Sequence, residues 1–160
     1  MSNKVKVALL WLKGLLEREQ VEFQIVGGLA ATIHGGCRDI ADIDLYIHND
    51  NISKLYPYLA PFISKPLGHY VEYGWDLEYC QLVYQGQKIE IGLSQNTRIQ
   101  SHQDASWHPL EIHFYESVYK DYQGIILPVM PVHRLIDYKR ILGREVDRLD
   151  IQDLTKQSAS

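Results

Sequence analysis

Apolar residues recur at near-helical spacing through residues 4–20, where Val7, Leu10, Trp11, Leu15 and Leu16 are interleaved with Lys13, Glu17 and Arg18. The spacing predicts an amphipathic helix. The pattern then shortens to one apolar run, Phe23 to Val26, which reads as a buried strand ended by Gly27-Gly28. Leu29 to His34 predicts a short helix closed by Gly35-Gly36. Ile43, Leu45 and Ile47 alternate with Asp42, Asp44, Tyr46 and His48, a period of two that predicts a second strand.

Further along, Ile52, Leu55, Tyr56 and Leu59 form another helical stripe that Pro57 limits. Trp75 to Tyr84 and Lys88 to Leu93 read as two strands of a hairpin around the turn signal Gln85-Gly86-Gln87. Residues 94–110 are polar with little period and read as a long loop. Glu111 to Tyr119 and Ile125 to Val132 read as extended, His133 to Leu142 and Glu145 to Leu154 as helices separated by Gly143, and Thr155 to Ser160 as a polar, frayed tail. The order predicts an α+β fold: a mixed sheet flanked by helices, with Gly28 at a helix start, Asp42 and Asp44 on the neighbouring strand, and C-terminal helices.

Composition narrows the picture. A chain of 160 residues is one domain by size, spanning 1–160, and can bury a core without staples. No apolar run is long enough to span a membrane, and the segment Val7 to Leu16 lacks a cleavage site, so no membrane is expected and the cytoplasm is the default compartment. Cys37 and Cys80 fit no metal spacing, and the seven histidines show none either. The net charge of −4 argues against a broad nucleic-acid footprint.

The chemistry concentrates in Gly27-Gly28, Arg38 and Asp42-Ile43-Asp44-Leu45. Carboxylates at i and i+2 on a strand share a face, and a cation between them relieves their repulsion. Mg²⁺, which prefers carboxylate and phosphate oxygens, suits that place. Glycine lets the backbone approach a ligand closely, and the helix start behind it suits phosphate.

Val26-Gly27-Gly28, Arg38 and Asp42-Ile43-Asp44-Leu45 together resemble the signature of the DNA polymerase beta-like nucleotidyltransferase superfamily, in its small branch of antibiotic-modifying enzymes, minimal nucleotidyltransferases and abortive-infection toxins. The resemblance implies the nucleotidyltransferase fold and a third carboxylate on a later strand, which Glu90 in Lys88-Ile89-Glu90-Ile91 matches. It implies catalytic and metal-binding roles for Asp42, Asp44 and Glu90, two Mg²⁺ ions (or Mn²⁺), and a nucleotide held by Gly27, Gly28, Arg38 and Lys139. It also implies transfer of a nucleoside monophosphate from a nucleoside triphosphate, ATP among them, to a hydroxyl of a small-molecule acceptor such as an antibiotic. Leu135 to Arg140 and the run Gly143-Arg144, Asp147-Arg148 and Asp150 resemble the closing helices of small members.

Bland readings stand beside these. Arg38 suits a phosphate or an ion pair with Asp42 or Asp39, and Glu90 suits a metal or solvent. Arg144 and Arg148 suit pairing with Glu145, Asp147 and Asp150 along a helix. Tyr70, Tyr73 and Trp75 suit the core or an aromatic wall. The competing functions are a toxin–antitoxin enzyme acting on a protein or tRNA, and an inactive member that binds nucleotide.

Overall fold

A computed structural model of the protein describes residues 3–159, with side chains through Lys156. Met1, Ser2 and Ser160 lie outside the described residues. In chain order, α1 (Lys4–Arg18) leads into β1 (Phe23–Val26), α2 (Gly27–Ile33), β2 (Ile43–Ile47) and α3 (Ile52–Leu59). Strands β3 (Ile63–Glu72), β4 (Trp75–Tyr84), β5 (Gln87–Leu93), β6 (Arg98–Gln100), β7 (Trp107–Pro109), β8 (Val118–Tyr122) and β9 (Ile125–Val129) follow, and α4 (Val132–Leu142) and α5 (Glu145–Ala159) close the chain. The class is α+β.

The strands form one mixed sheet in the order β7-β6-β4-β5-β2-β1-β9-β8, with β3 along the other side of β4. The pairs β2–β5 and β1–β9 are parallel, whereas β1–β2 and β4–β5 are antiparallel. Every residue of β1 is buried, the polar Gln24 included, whose side-chain amide donates to the His113 carbonyl and the Ser117 hydroxyl. Ile43, Leu45 and Ile47 of β2 and Ile89, Ile91 and Leu93 of β5 are at most 2% exposed and form the centre of the core. That core fixes the register of β2 on β5, because a slip of one residue would exchange apolar and acidic side chains.

Several expectations need correction. The first helix buries Ala8, Leu9, Leu12, Leu15 and Leu16, while Leu10 is 53% exposed. Its apolar stripe is therefore turned by about one residue from the one read along the chain, since each residue advances roughly 100°. Helix α2 begins at Gly27 rather than Leu29, and Asp42 stands one residue ahead of its strand. Strand β3, which no alternation announces, contains Pro66 and Gly68, and its register with β4 shifts twice in that stretch. An edge strand tolerates both residues, because its outer side makes no ladder bonds. The segment 94–110 carries β6 and β7, too short to show a period. Phe114–Glu116 is a 3₁₀ turn inside the segment read as extended. The final helix continues through the tail to Ala159.

Candidate active site

Asp44 on β2 pairs in register with Val26 on one side and with Glu90 of β5 on the other. Both carboxylates thus leave the same face of the sheet, at the mouth of a cleft of about 400 Å³. Asp42 joins them from the segment entering β2, which Gln87 anchors through its side-chain amide on the Ala41 carbonyl, 3.0 Å away. Lys88 reaches over the group, its Nζ 3.5 Å from Asp42 Oδ2 and 3.5 Å from Glu90 Oε1.

Asp44 is the most constrained member. Its Oδ1 is buried and has no hydrogen-bond partner among the described residues. Burial, and then the neighbouring Glu90 and Asp42 carboxylates, push its acid well above the ordinary aspartate range, and Lys139 pulls the other way. The close approach above it explains a glycine. Gly27 has φ +68°, and a Cβ there would lie 2.6 Å from Asp44 Oδ2. Conformation and space therefore both demand glycine. The Gly27 N–H donates to the Tyr138 hydroxyl at 2.8 Å, which ties α4 to the loop. A Cβ on Gly28 would come within 3.2 Å of Arg38 Nη2.

Across the cleft the charges are positive, and each is held. Arg38 donates two bonds to Asp150, at 3.0 and 2.9 Å, and so pairs with the last helix rather than with Asp39 or Asp42. Lys139 Nζ lies 3.0 Å from Asp150 Oδ2 and 3.5 Å from Asp147 Oδ1, and its side chain is 2% exposed. Arg144 donates to both oxygens of Asp147, at 2.7 and 3.0 Å. Burial would raise the Asp150 acid, but Arg38 and Lys139 outweigh it and hold the acid low. Arg38, Lys139 and Arg144 all face the cleft, with Asp147 and Asp150 behind them. Three cations backed by two carboxylates leave a positive wall opposite a negative floor.

The β3–β4 hairpin supplies a third wall. Glu72, Tyr73, Trp75, Leu77 and Tyr79 line the cleft there. Trp75 sets its edge to Tyr138, with ring centroids 6.3 Å apart. Tyr70 stands behind Tyr79, edge to face at 5.0 Å. Of the anticipated aromatic wall, Tyr73 and Trp75 thus reach the cleft, and Tyr70 does not line it. The motif reading did not single out Tyr138, Glu72, Tyr79 or Arg144 as cleft residues. Only Arg144 had a local cue, its spacing of three from Asp147.

Among the described residues, no three His, Cys, Asp or Glu side chains form a ready metal cage. No helix among them is long and apolar enough to cross a membrane. No protein-family model and no curated protein matches the chain. Solved structures do. A proposed nucleotidyltransferase from Thermotoga maritima superposes with a TM-score of 0.73 at 17% identity, over 98% of this chain and 96% of that one. The chain has the nucleotidyltransferase fold. The lincosamide adenylyltransferase LnuA, solved with lincomycin, gives 0.63 at 15% identity over 93% and 95%. The antibiotic-resistance factor ANT(2'')-Ia gives 0.62 at 14% identity over 99% and 85%; another structure of it holds adenylyl-2''-tobramycin.

Proposed function

We propose that the protein is a metal-dependent nucleotidyltransferase that moves a nucleoside monophosphate from a nucleoside triphosphate to a hydroxyl of a small-molecule acceptor. The observation that carries this reading is the in-register pair Asp44–Glu90 with Asp42 beside it, where a buried Asp44 oxygen has no hydrogen-bond partner among the described residues. A buried, unpartnered carboxylate oxygen is costly unless something outside the chain meets it.

A divalent cation fits that donor set. Asp42, Asp44 and Glu90 would hold it, and when bound it would supply positive charge at the α-phosphate. The rest falls to the chain's own groups. Arg38, Lys139 and Arg144 draw the β- and γ-phosphates to the positive wall. Glu90 accepts the proton of the acceptor hydroxyl. That oxygen then bonds to the α-phosphorus as the bond to the bridging oxygen breaks, and pyrophosphate leaves toward Arg38 and Arg144.

A small acceptor is supported by the size of the cleft, about 400 Å³, by its aromatic and acidic hairpin wall, and by the antibiotics held in structures of the same fold. A net charge of −4 gives a nucleic-acid acceptor little to bind. Pyrophosphate release from nucleoside triphosphates, measured against a panel of hydroxyl-bearing antibiotics, tests the reading. Glu90→Gln should lower turnover by about 10²-fold or more, the scale of a lost general base, while triphosphate affinity changes little. Full turnover in Glu90→Gln would remove Glu90 from the reaction.

A further inference from the structure

Lys88 precedes Glu90 by two residues on β5, so both side chains leave the same face. Its ammonium lies at equal distance, 3.5 Å, from one oxygen of Asp42 and one of Glu90. Those carboxylates belong to separate elements, and each is only about one-third exposed, at 32% and 33%. Left to themselves they would repel. The ammonium relieves that repulsion, but its hold is loose. A charge-assisted N–H···O bond is normally about 2.7–2.9 Å long, and the Lys88 side chain is 40% exposed. Lys139, by contrast, is locked at 3.0 Å from Asp150 and 2% exposed. A long, half-exposed side chain can carry its charge out to solvent at little cost. The Lys88 ammonium also leaves Asp44 Oδ1 unpartnered, so the cluster is only partly neutralised.

We propose that Lys88 is a placeholder for the divalent cation: its ammonium spans Asp42 and Glu90 in the metal-free protein, leaves when the ion arrives, and thereby sets the metal affinity of the site. The inference rests on the nucleotidyltransferase reading above. It gives Lys88 a positioning role distinct from catalysis. The residue keeps the carboxylates facing one another, and it competes with the ion for the same oxygens.

The test is Mn²⁺ binding to the full chain, followed by electron paramagnetic resonance of the free ion. Lys88→Met should bind Mn²⁺ about tenfold more tightly, the order expected when one nearby like charge is removed. Lys88→Gln, which keeps a polar tip, should tighten in the same direction, and Lys88→Arg should bind as the wild type does. In EDTA, Lys88→Met should melt below the wild type and recover on addition of Mn²⁺. Loss of a lysine that served only the fold, and neither occupied these oxygens nor repelled the ion, would not tighten metal binding. Equal or weaker Mn²⁺ affinity in both neutral variants, with normal wild-type binding, would overturn the Lys88 inference alone. Absence of Mn²⁺ binding in wild type and variants alike would overturn the metal-dependent reading together with it.

Discussion

The two sides of the cleft solve the same problem, crowded charge, in opposite ways. On the helical side Arg38 and Lys139 meet Asp150, and Arg144 meets Asp147, through ion pairs no longer than 3.0 Å, with both carboxylates at most 1% exposed. On the sheet side Asp42 and Glu90 share one loosely placed ammonium, and a buried Asp44 oxygen has no partner among the described residues. The first cluster pairs its charges within the chain and so fixes Arg38, Lys139 and Arg144 at the cleft. The second is incomplete, and its shortfall is one or more positive charges. Under the proposed function, the paired charges hold in place the groups that meet the phosphates, and the unpartnered Asp44 oxygen lies where the cation would be held.

The contrast is most easily broken on the helical side. Asp150→Ala leaves Arg38 and Lys139 without their shared acid, and a buried charge stripped of its partner costs about 3–5 kcal/mol. Urea unfolding should show a loss of that size. The folded chain holds the Asp150 acid low, so its contribution is present above the unfolded aspartate pKa and is lost as pH falls through the folded one. The gap between variant and wild type should therefore close in strong acid. A near-neutral Asp150→Ala would mean that this network is no scaffold.

The sheet side should respond with the opposite sign. Asp44 is pushed up on folding, so its contribution is full below the ordinary aspartate pKa and is lost as pH rises through the folded value. Asp44→Asn removes that loss. In EDTA near neutral pH the variant should be more stable by about 1–3 kcal/mol, the scale of an unsatisfied buried polar group, with the difference fading towards pH of about 4. Mg²⁺ with a nucleoside triphosphate should stabilise the wild type and not the variant. A variant less stable than wild type in EDTA would place Asp44 with the scaffold.

A smaller change sharpens the boundary between the two sides. Tyr138→Phe removes the acceptor for the Gly27 N–H and should cost about 1 kcal/mol, the scale of one net hydrogen bond. Its signature is faster amide exchange at Gly27, with no change at Asp150. Unaltered exchange at Gly27 would show that the loop holds its shape without α4.

The division also explains what could be read along the chain. The unit β1, Gly27-Gly28, α2 and β2 was legible because its cues are local: an apolar run, a breaker and a period of two. The β4–β5 hairpin was legible for the same reason. Asp42 and Asp44 stood out because two charges inside an apolar alternation are conspicuous, Glu90 because the family resemblance implies a third carboxylate on a later strand, and β-sheet register brings Asp44 and Glu90 side by side. The helical side hid itself. Arg38 finds Asp150 across 112 positions, and nothing near Arg38 announces that partner. Tyr138 finds Gly27 across 111. Strand β3 was invisible because Pro66 and Gly68 interrupt it, and its existence depends on the long β4 beside it rather than on its own residues.

The ion pair between Arg38 and Asp150 also sets an order of events during synthesis. A ribosome delivers Gly27, Gly28, Asp42, Asp44 and Glu90 well before it delivers Asp147 and Asp150. Until those acids emerge, Arg38 has no carboxylate to lock it over the glycine loop, and Lys139 cannot be buried without leaving its charge bare. The sheet can condense early, but the cleft is finished only when the last helix folds back onto it. The acidic floor is therefore synthesised before the acids that hold its basic wall, and the first two turns of α5, which carry Asp147 and Asp150, complete the cleft.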